Sequence, residues 1–224
     1  DPAIREAYSR YGFYIFEGVI DAAELQDIRT DLDAMRARFP TGPESPVDAQ
    51  GEPALGVDHS ALTLVWSKPL GDPLGGTALA NGRHEIKMFE PAAASDTPAA
   101  APFLLLGSLQ FSDACLRVYG HPLLLQVAEQ INGPDFAPFN EALFIKDPGI
   151  GAAVSWHQDG VTHWDSDQFE EDIHGFNFMA QVYGSTAVNG VWVLPGTHKQ
   201  GKLDIKALVA ESGSERLKGA LPLI

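Results

Sequence analysis

One cysteine, Cys115, is the only thiol in the chain, which excludes an intramolecular disulfide and fits a reducing compartment, here expected to be cytoplasmic. Set in a helical pattern, it reads as a small buried hydrophobe rather than a reactive group. Apolar residues never run to the ~18 that a membrane span needs, and the first thirty or so residues lack the basic-then-apolar order of a secretory signal. Basic side chains are scarce too: 15 Lys and Arg face 30 Asp and Glu, for a formal net charge of -15. A nucleic-acid partner needs a Lys/Arg surface for its phosphates, and that surface is missing. The same imbalance weighs against a highly anionic thioester substrate, although a local basic pocket inside an acidic shell is compatible with it. There is no Ser-His-Asp set, no phosphate-cradling glycine loop, no C-x-x-C pair and no internal repeat.

What remains is a chain of 224 residues, 45% hydrophobic, long enough to bury the core of one domain over residues 1–224. Residues 2–10 suit a short helix and residues 11–16 a strand. Asp21 with Glu24 three positions on has the form of a capping box, and Leu25, Ile28, Leu32 and Met35 make one apolar helical stripe. Residues 41–56 hold three Pro and three Gly, which predicts an exposed loop that covers the site. A strand is expected over 82–90 and a surface linker over 91–102. Residues 112–119 and 122–131 read as helices, the second with Pro at its first turn and Gly133 just past its end.

The chemistry concentrates in Trp156-His157-Gln158-Asp159-Gly160. In an extended segment residues i and i+2 share a face, so His157 and Asp159 project together while Trp156 and Gln158 point away. An imidazole and a carboxylate so placed are two-thirds of the 2-His-1-carboxylate triad that holds non-heme Fe(II) and leaves positions open for co-substrate and dioxygen. Strands are expected on both sides, over 141–146 before a break at Asp147-Pro148-Gly149, and over 176–183 and 191–194 after it. Asn189-Gly190 between the last two is a tight-turn signal.

W-H-Q-D-G, followed about thirty residues later by N-G-x-x-x-L-P-G-T-H-K, resembles the phytanoyl-CoA dioxygenase family of Fe(II)/2-oxoglutarate oxygenases. The likeness is firm over residues 136–204 and looser through the amino-terminal helices. It implies an α+β fold: a double-stranded β-helix, of the jelly-roll or cupin type, buttressed by amino-terminal helices. It implies Fe(II) as the metal and 2-oxoglutarate as co-substrate, with His157 and Asp159 as the first two iron ligands. The family's third His lies in a later H-G-S strand, followed about ten residues on by an Arg for the distal carboxylate of 2-oxoglutarate. This chain ends at Ile224, at the approach to that strand, so the domain is expected to lack its last core strands. Two alternatives stand beside that reading: His198 of the P-G-T-H-K turn substitutes as ligand, or the site is lost.

The expected reaction is oxidative decarboxylation of 2-oxoglutarate coupled to hydroxylation of a small molecule, with dioxygen as the other partner. Related halogenases carry a small residue where the acid stands, so Asp159 points to hydroxylation or another oxidation. Lys146, Asn177 and Gln181 are candidate contacts for co-substrate or substrate; Asn177 and Gln181 share a face with Met179. Trp156 and Trp192 read as core aromatics. His163 and His174 flank an acidic stretch over 165–172 where a substrate lid would lie, and His59, His84 and His121 read as structural. The competing class is a non-catalytic jelly-roll that binds a ligand or a partner through an incomplete metal site. A zinc hydrolase fits less well, since such sites take more His or Cys ligands. Neither substrate identity nor oligomeric state is legible in the residues.

Overall fold

The computed structural model describes residues 1–57, 62–70, 92–151, 153–159 and 175–224 of the chain. Helix α1 (Pro2–Tyr11) starts where the Asp1 carboxylate accepts from the Ala3 amide, and stops at Gly12, whose φ of 84° is left-handed backbone suited to glycine. Helix α2 (Ala22–Ala37) starts at Asp21, whose carboxylate accepts from the Glu24 amide at 2.8 Å. Its stripe behaves as the spacing predicts: Ile28 and Met35 are buried, and Leu25 and Leu32 half-buried.

Met35 meets a three-stranded antiparallel sheet of order β1-β2-β3, made of β1 (Thr63–Ser67), β2 (Ala101–Leu106) and β3 (Leu143–Phe144). Leu105 pairs with Leu64 on one side and Leu143 on the other, and a bulge between Val65 and Trp66 shifts the register. Along β2 the alternate residues Ala101, Phe103 and Leu105 are buried, the period of two that a strand with one covered face requires. Met35, Leu55 and Leu105 form the centre of the core, with Leu32, Phe39, Leu64 and Ile145 packed around them. Phe103 adds an edge-to-face contact with Phe144 at 5.7 Å.

The stretch 41–56 is a mostly exposed loop as expected, but its end is not: Leu55 enters the core. Its side chain is 4% exposed in the core, its amide donates to the Arg38 carbonyl at 2.7 Å, and Ala54 beside it is buried. Two apolar residues in a polar stretch are enough to pin it under the sheet. The linker is also shorter than expected, because β2 begins at Ala101.

Helix α3 (Asp113–Tyr119) is capped by Ser112, and α4 (Pro122–Asn132) by the His121 ring, whose Nδ1 accepts from the Leu123 amide. Asp31 on α2 accepts from the Ser112 hydroxyl and the Ala114 amide, joining α2 to α3. Burial raises the pKa of the Cys115 thiol on α3, in keeping with a packing role. A second, two-stranded antiparallel sheet pairs β4 (Trp192–Val193) with β5 (Leu221–Pro222) on either side of α5 (Ile205–Ser212). Before β4 the expected turn is present, with Asn189 Oδ1 accepting from both the amide and the hydroxyl of Thr186.

The mixture of helix and strand agrees with the expected class, and the strands among the described residues form these two small sheets without closing a barrel. Residues 11–16, 155–159 and 176–183 are not strands, contrary to expectation. Their period-two pairing nevertheless survives: the rings of Tyr14 and Phe16 meet at 4.8 Å and those of Phe176 and Phe178 at 5.2 Å. Alternation sets which side chains share a face, whereas a strand also needs a neighbouring backbone, and among the described residues these segments have no such ladder. The strand expected over 82–90, the acidic stretch 165–172, and His59, His84, His163 and His174 lie outside the described residues.

Leu105, 1% exposed, is the residue on which α2, the 41–56 loop and the sheet converge. Leu105→Ala is expected to lower the stability of the chain by about 2–5 kcal/mol, as large-to-small core substitutions do. Urea unfolding read by tryptophan fluorescence measures it, and a loss below about 1 kcal/mol would remove Leu105 from the centre of the core.

Candidate metal centre

His157 and Asp159 converge as the motif predicts. Nε2 of His157 lies 3.3 Å from Oδ1 of Asp159, with the imidazole partly buried and the carboxylate mostly exposed. The His157 Nδ1–H donates to the Ser155 carbonyl at 2.8 Å, and Ser155 itself is 2% exposed, so the ring is held from a buried point of the backbone. In a neutral imidazole that bond puts the proton on Nδ1 and leaves the Nε2 lone pair facing Asp159. Two acceptors at 3.3 Å repel unless positive charge lies between them, either a proton on Nε2 or a cation shared by both. Their spacing is one at which a single ion could be shared by both donors.

The carboxylate has its own support. Oδ2 of Asp159 accepts from the Asn177 amide at 2.6 Å. Asn177, read from sequence as a contact for co-substrate, thus holds the acid from across residues 160–174. Ligating carboxylates commonly carry such an outer hydrogen bond.

The two flanking residues, which share the cavity wall with His157, are both anchored. Trp156 Nε1–H donates to the Glu215 carbonyl at 2.6 Å. The Gln158 amide donates to the Gly201 carbonyl at 2.9 Å and accepts from the Leu203 amide at 2.7 Å. Side-chain bonds to distant backbone stand where a strand would have ladder bonds.

Behind the motif lies a cavity of about 190 Å³, walled by the end of α1, Trp156, His157, Gln158, β4, α5 and Leu217. Asp159 is not on that wall, so the cavity adjoins the inner side of the motif. His198 borders it too, but is turned to another task. Its ring nitrogen Nε2 donates to the Ser9 carbonyl at 3.0 Å, and the neighbouring Gly196 amide donates to the Tyr11 carbonyl at 2.9 Å. The P-G-T-H-K turn therefore satisfies carbonyls that the last turn of α1 leaves open. Gly12 lies so close that a Cβ there would stand 2.5 Å from Nδ1 of His198.

Lys146 is exposed just after β3, and Gln181 and Met179 are exposed as well. Two residues with no distinguishing sequence signal prove to be braces: Arg29 of α2 donates through Nε and Nη2 to the Val182 carbonyl, and Arg36 one face-repeat later pairs with Asp147. Together they fix the segments before and after the motif to α2. Among the described residues no three His, Cys, Asp or Glu side chains gather so as to hold a metal, so His157 and Asp159 stand as a pair.

The family model described as phytanoyl-CoA dioxygenase (PhyH) matches residues 8–214. The match runs from the last turn of α1 through α5 and includes the motif, the cavity wall except Leu217, and the P-G-T-H-K turn. A search of curated proteins finds no match.

His198→Ala is expected to cost about 1 kcal/mol, one helix-end hydrogen bond. Gly12→Ala should cost more, because it adds left-handed strain of ~1–2 kcal/mol and also displaces the ring. Chemical unfolding of both variants checks the order; equal losses would show that His198 and Gly12 do not press on each other.

Proposed function

Because this chain belongs to the phytanoyl-CoA dioxygenase family, whose members are Fe(II)/2-oxoglutarate dioxygenases of jelly-roll fold, we propose that it is one of them and hydroxylates a small molecule. The observation that carries the reading is the 3.3 Å convergence of His157 Nε2 and Asp159 Oδ1, with the far ring nitrogen, Nδ1, bonded to the Ser155 carbonyl. His157 and Asp159 would hold the metal, and Asn177 would keep Asp159 Oδ1 turned toward it. The third ligand and the group that receives the distal carboxylate of 2-oxoglutarate come from outside the described residues.

When bound, Fe(II) with 2-oxoglutarate supplies the oxidation: 2-oxoglutarate, dioxygen and a substrate C–H bond give succinate, carbon dioxide and a C–OH bond. The chain's own residues position and exclude. Ser155 and Asn177 would hold the two donors in the form that accepts a cation, and Trp156 with the walls behind it backs the inner side of the motif. An aspartate rather than a small residue at 159 supports hydroxylation, or another oxidation, over halogenation. Lys146 and Gln181 remain candidate contacts for co-substrate or substrate, reached from the exposed side.

A second reading has one observation in its favour, the absence of a third metal-binding side chain among the described residues. On that reading the protein is a non-catalytic jelly-roll that binds a ligand or a partner. Anaerobic titration with Fe(II) and 2-oxoglutarate, followed by oxygen and a panel of metabolites with succinate as readout, separates the two. His157→Ala and Asp159→Ala are each expected to abolish iron-dependent succinate release while the fold, followed by circular dichroism, persists. Full turnover in either variant would sink the ligand assignment. His198→Ala should keep its metal, and losing it would make His198 the third ligand.

A further inference from the structure

The two candidate ligands are separated by a single residue, and that residue is tied down at both ends of its amide. Between the Cα atoms of His157 and Asp159 the only soft torsions are ψ of 157, φ and ψ of 158, and φ of 159. The relative aim of imidazole and carboxylate therefore depends directly on the backbone at Gln158. Val154 carries a β-bridge, but from 155 to 159 the backbone has no ladder partner among the described residues. The Gln158 side chain does the clamping: its Nε2–H donates to the Gly201 carbonyl and its Oε1 accepts from the Leu203 amide. That is the pattern by which a neighbouring strand would grip a peptide group, supplied here by a side chain. The gripped segment follows the P-G-T-H-K turn, whose Gly196 and His198 are bonded to the end of α1.

Resting on the metal reading above, we propose that Gln158 is a positioning residue: its amide, clamped to Gly201 and Leu203, sets the spacing and angle of the His157–Asp159 pair, and thereby the affinity and geometry of the metal. It acts through the two ligands and touches neither metal nor substrate. Trp156, bonded to the Glu215 carbonyl, holds the amino-terminal side of the same segment, so the pair is strung between two anchors on residues 201–215.

The test uses Co(II) as a spectroscopic probe with 2-oxoglutarate, in wild type, Gln158→Met and Gln158→Asn. Methionine keeps length and bulk but forms neither bond; asparagine keeps the amide but falls one methylene short of both backbone partners. Each variant is expected to bind Co(II) about 10–100-fold more weakly, the usual loss when an outer partner of a ligand is removed. The d–d bands should change shape, and hydrogen exchange at the Leu203 amide should quicken. A merely structural role would lower the melting temperature and leave affinity and band shape as in wild type, and that result overturns the proposal. If Gln158→Met fails to fold, Gln158→Asn decides alone. Wild type that takes up no Co(II) sinks the metal reading itself, and this inference with it; wild type that binds, with variants that match it, sinks this inference only.

Discussion

His157 Nε2 approaches Asp159 Oδ1 to 3.3 Å, and with a neutral imidazole the two lone pairs repel unless a proton or a cation lies between them. The surrounding chain is arranged to keep them there. Ser155 fixes the imidazole through Nδ1, Asn177 takes the other carboxylate oxygen, and Gln158 and Trp156 bind the intervening backbone to residues 201–215. Each of these contacts spends a hydrogen bond on aim rather than on burial. A folded chain gains little net stability from any one of them, about 1 kcal/mol, and what they share is that they fix the aim of two neighbouring side chains.

That arrangement is hung on two supports. One is the core where α2 meets the three-stranded sheet at Met35, Leu55 and Leu105. From the same helix Arg29 and Arg36 reach out to Val182 and Asp147, so α2 carries both flanks of the motif as well as the core. The Arg36–Asp147 pair is partly solvated, and screening leaves such a pair little weight as a source of stability. Its contribution is to position. The other support is the P-G-T-H-K turn, which closes the end of α1 and leads directly into the segment that Gln158 grips.

Charge has a separate role. With 30 acidic against 15 basic residues the molecule repels polyanions at long range, yet what happens at the pair is decided by a few oriented groups within hydrogen-bond reach. Asp159 is exposed enough for ligands to approach from solvent, whereas His157 backs onto the cavity behind the motif. The two residues thus differ in setting: Asp159 faces solvent, and His157 lines a cavity whose walls mix polar and apolar groups.

Sequence alone determined the features governed by local geometry. The period of 3.6 in α2, the cap at Asp21, the proline-started α4 and the pairing of His157 with Asp159 are all set within a few residues, where side-chain direction follows from backbone spacing. Family membership was legible for the same reason, since the two motifs are short and contiguous. The tertiary structure decided what depends on partners far along the chain. Whether the period-two segments become strands turned on a neighbouring backbone, which 11–16, 155–159 and 176–183 do not have among the described residues. That Leu55 enters the core, that His198 caps α1, that Asn177 holds Asp159 and that Gln158 replaces a ladder all rest on residues tens to hundreds of positions apart. Local spacing carries no information about such distances, because the folded packing alone brings those groups within reach of one another.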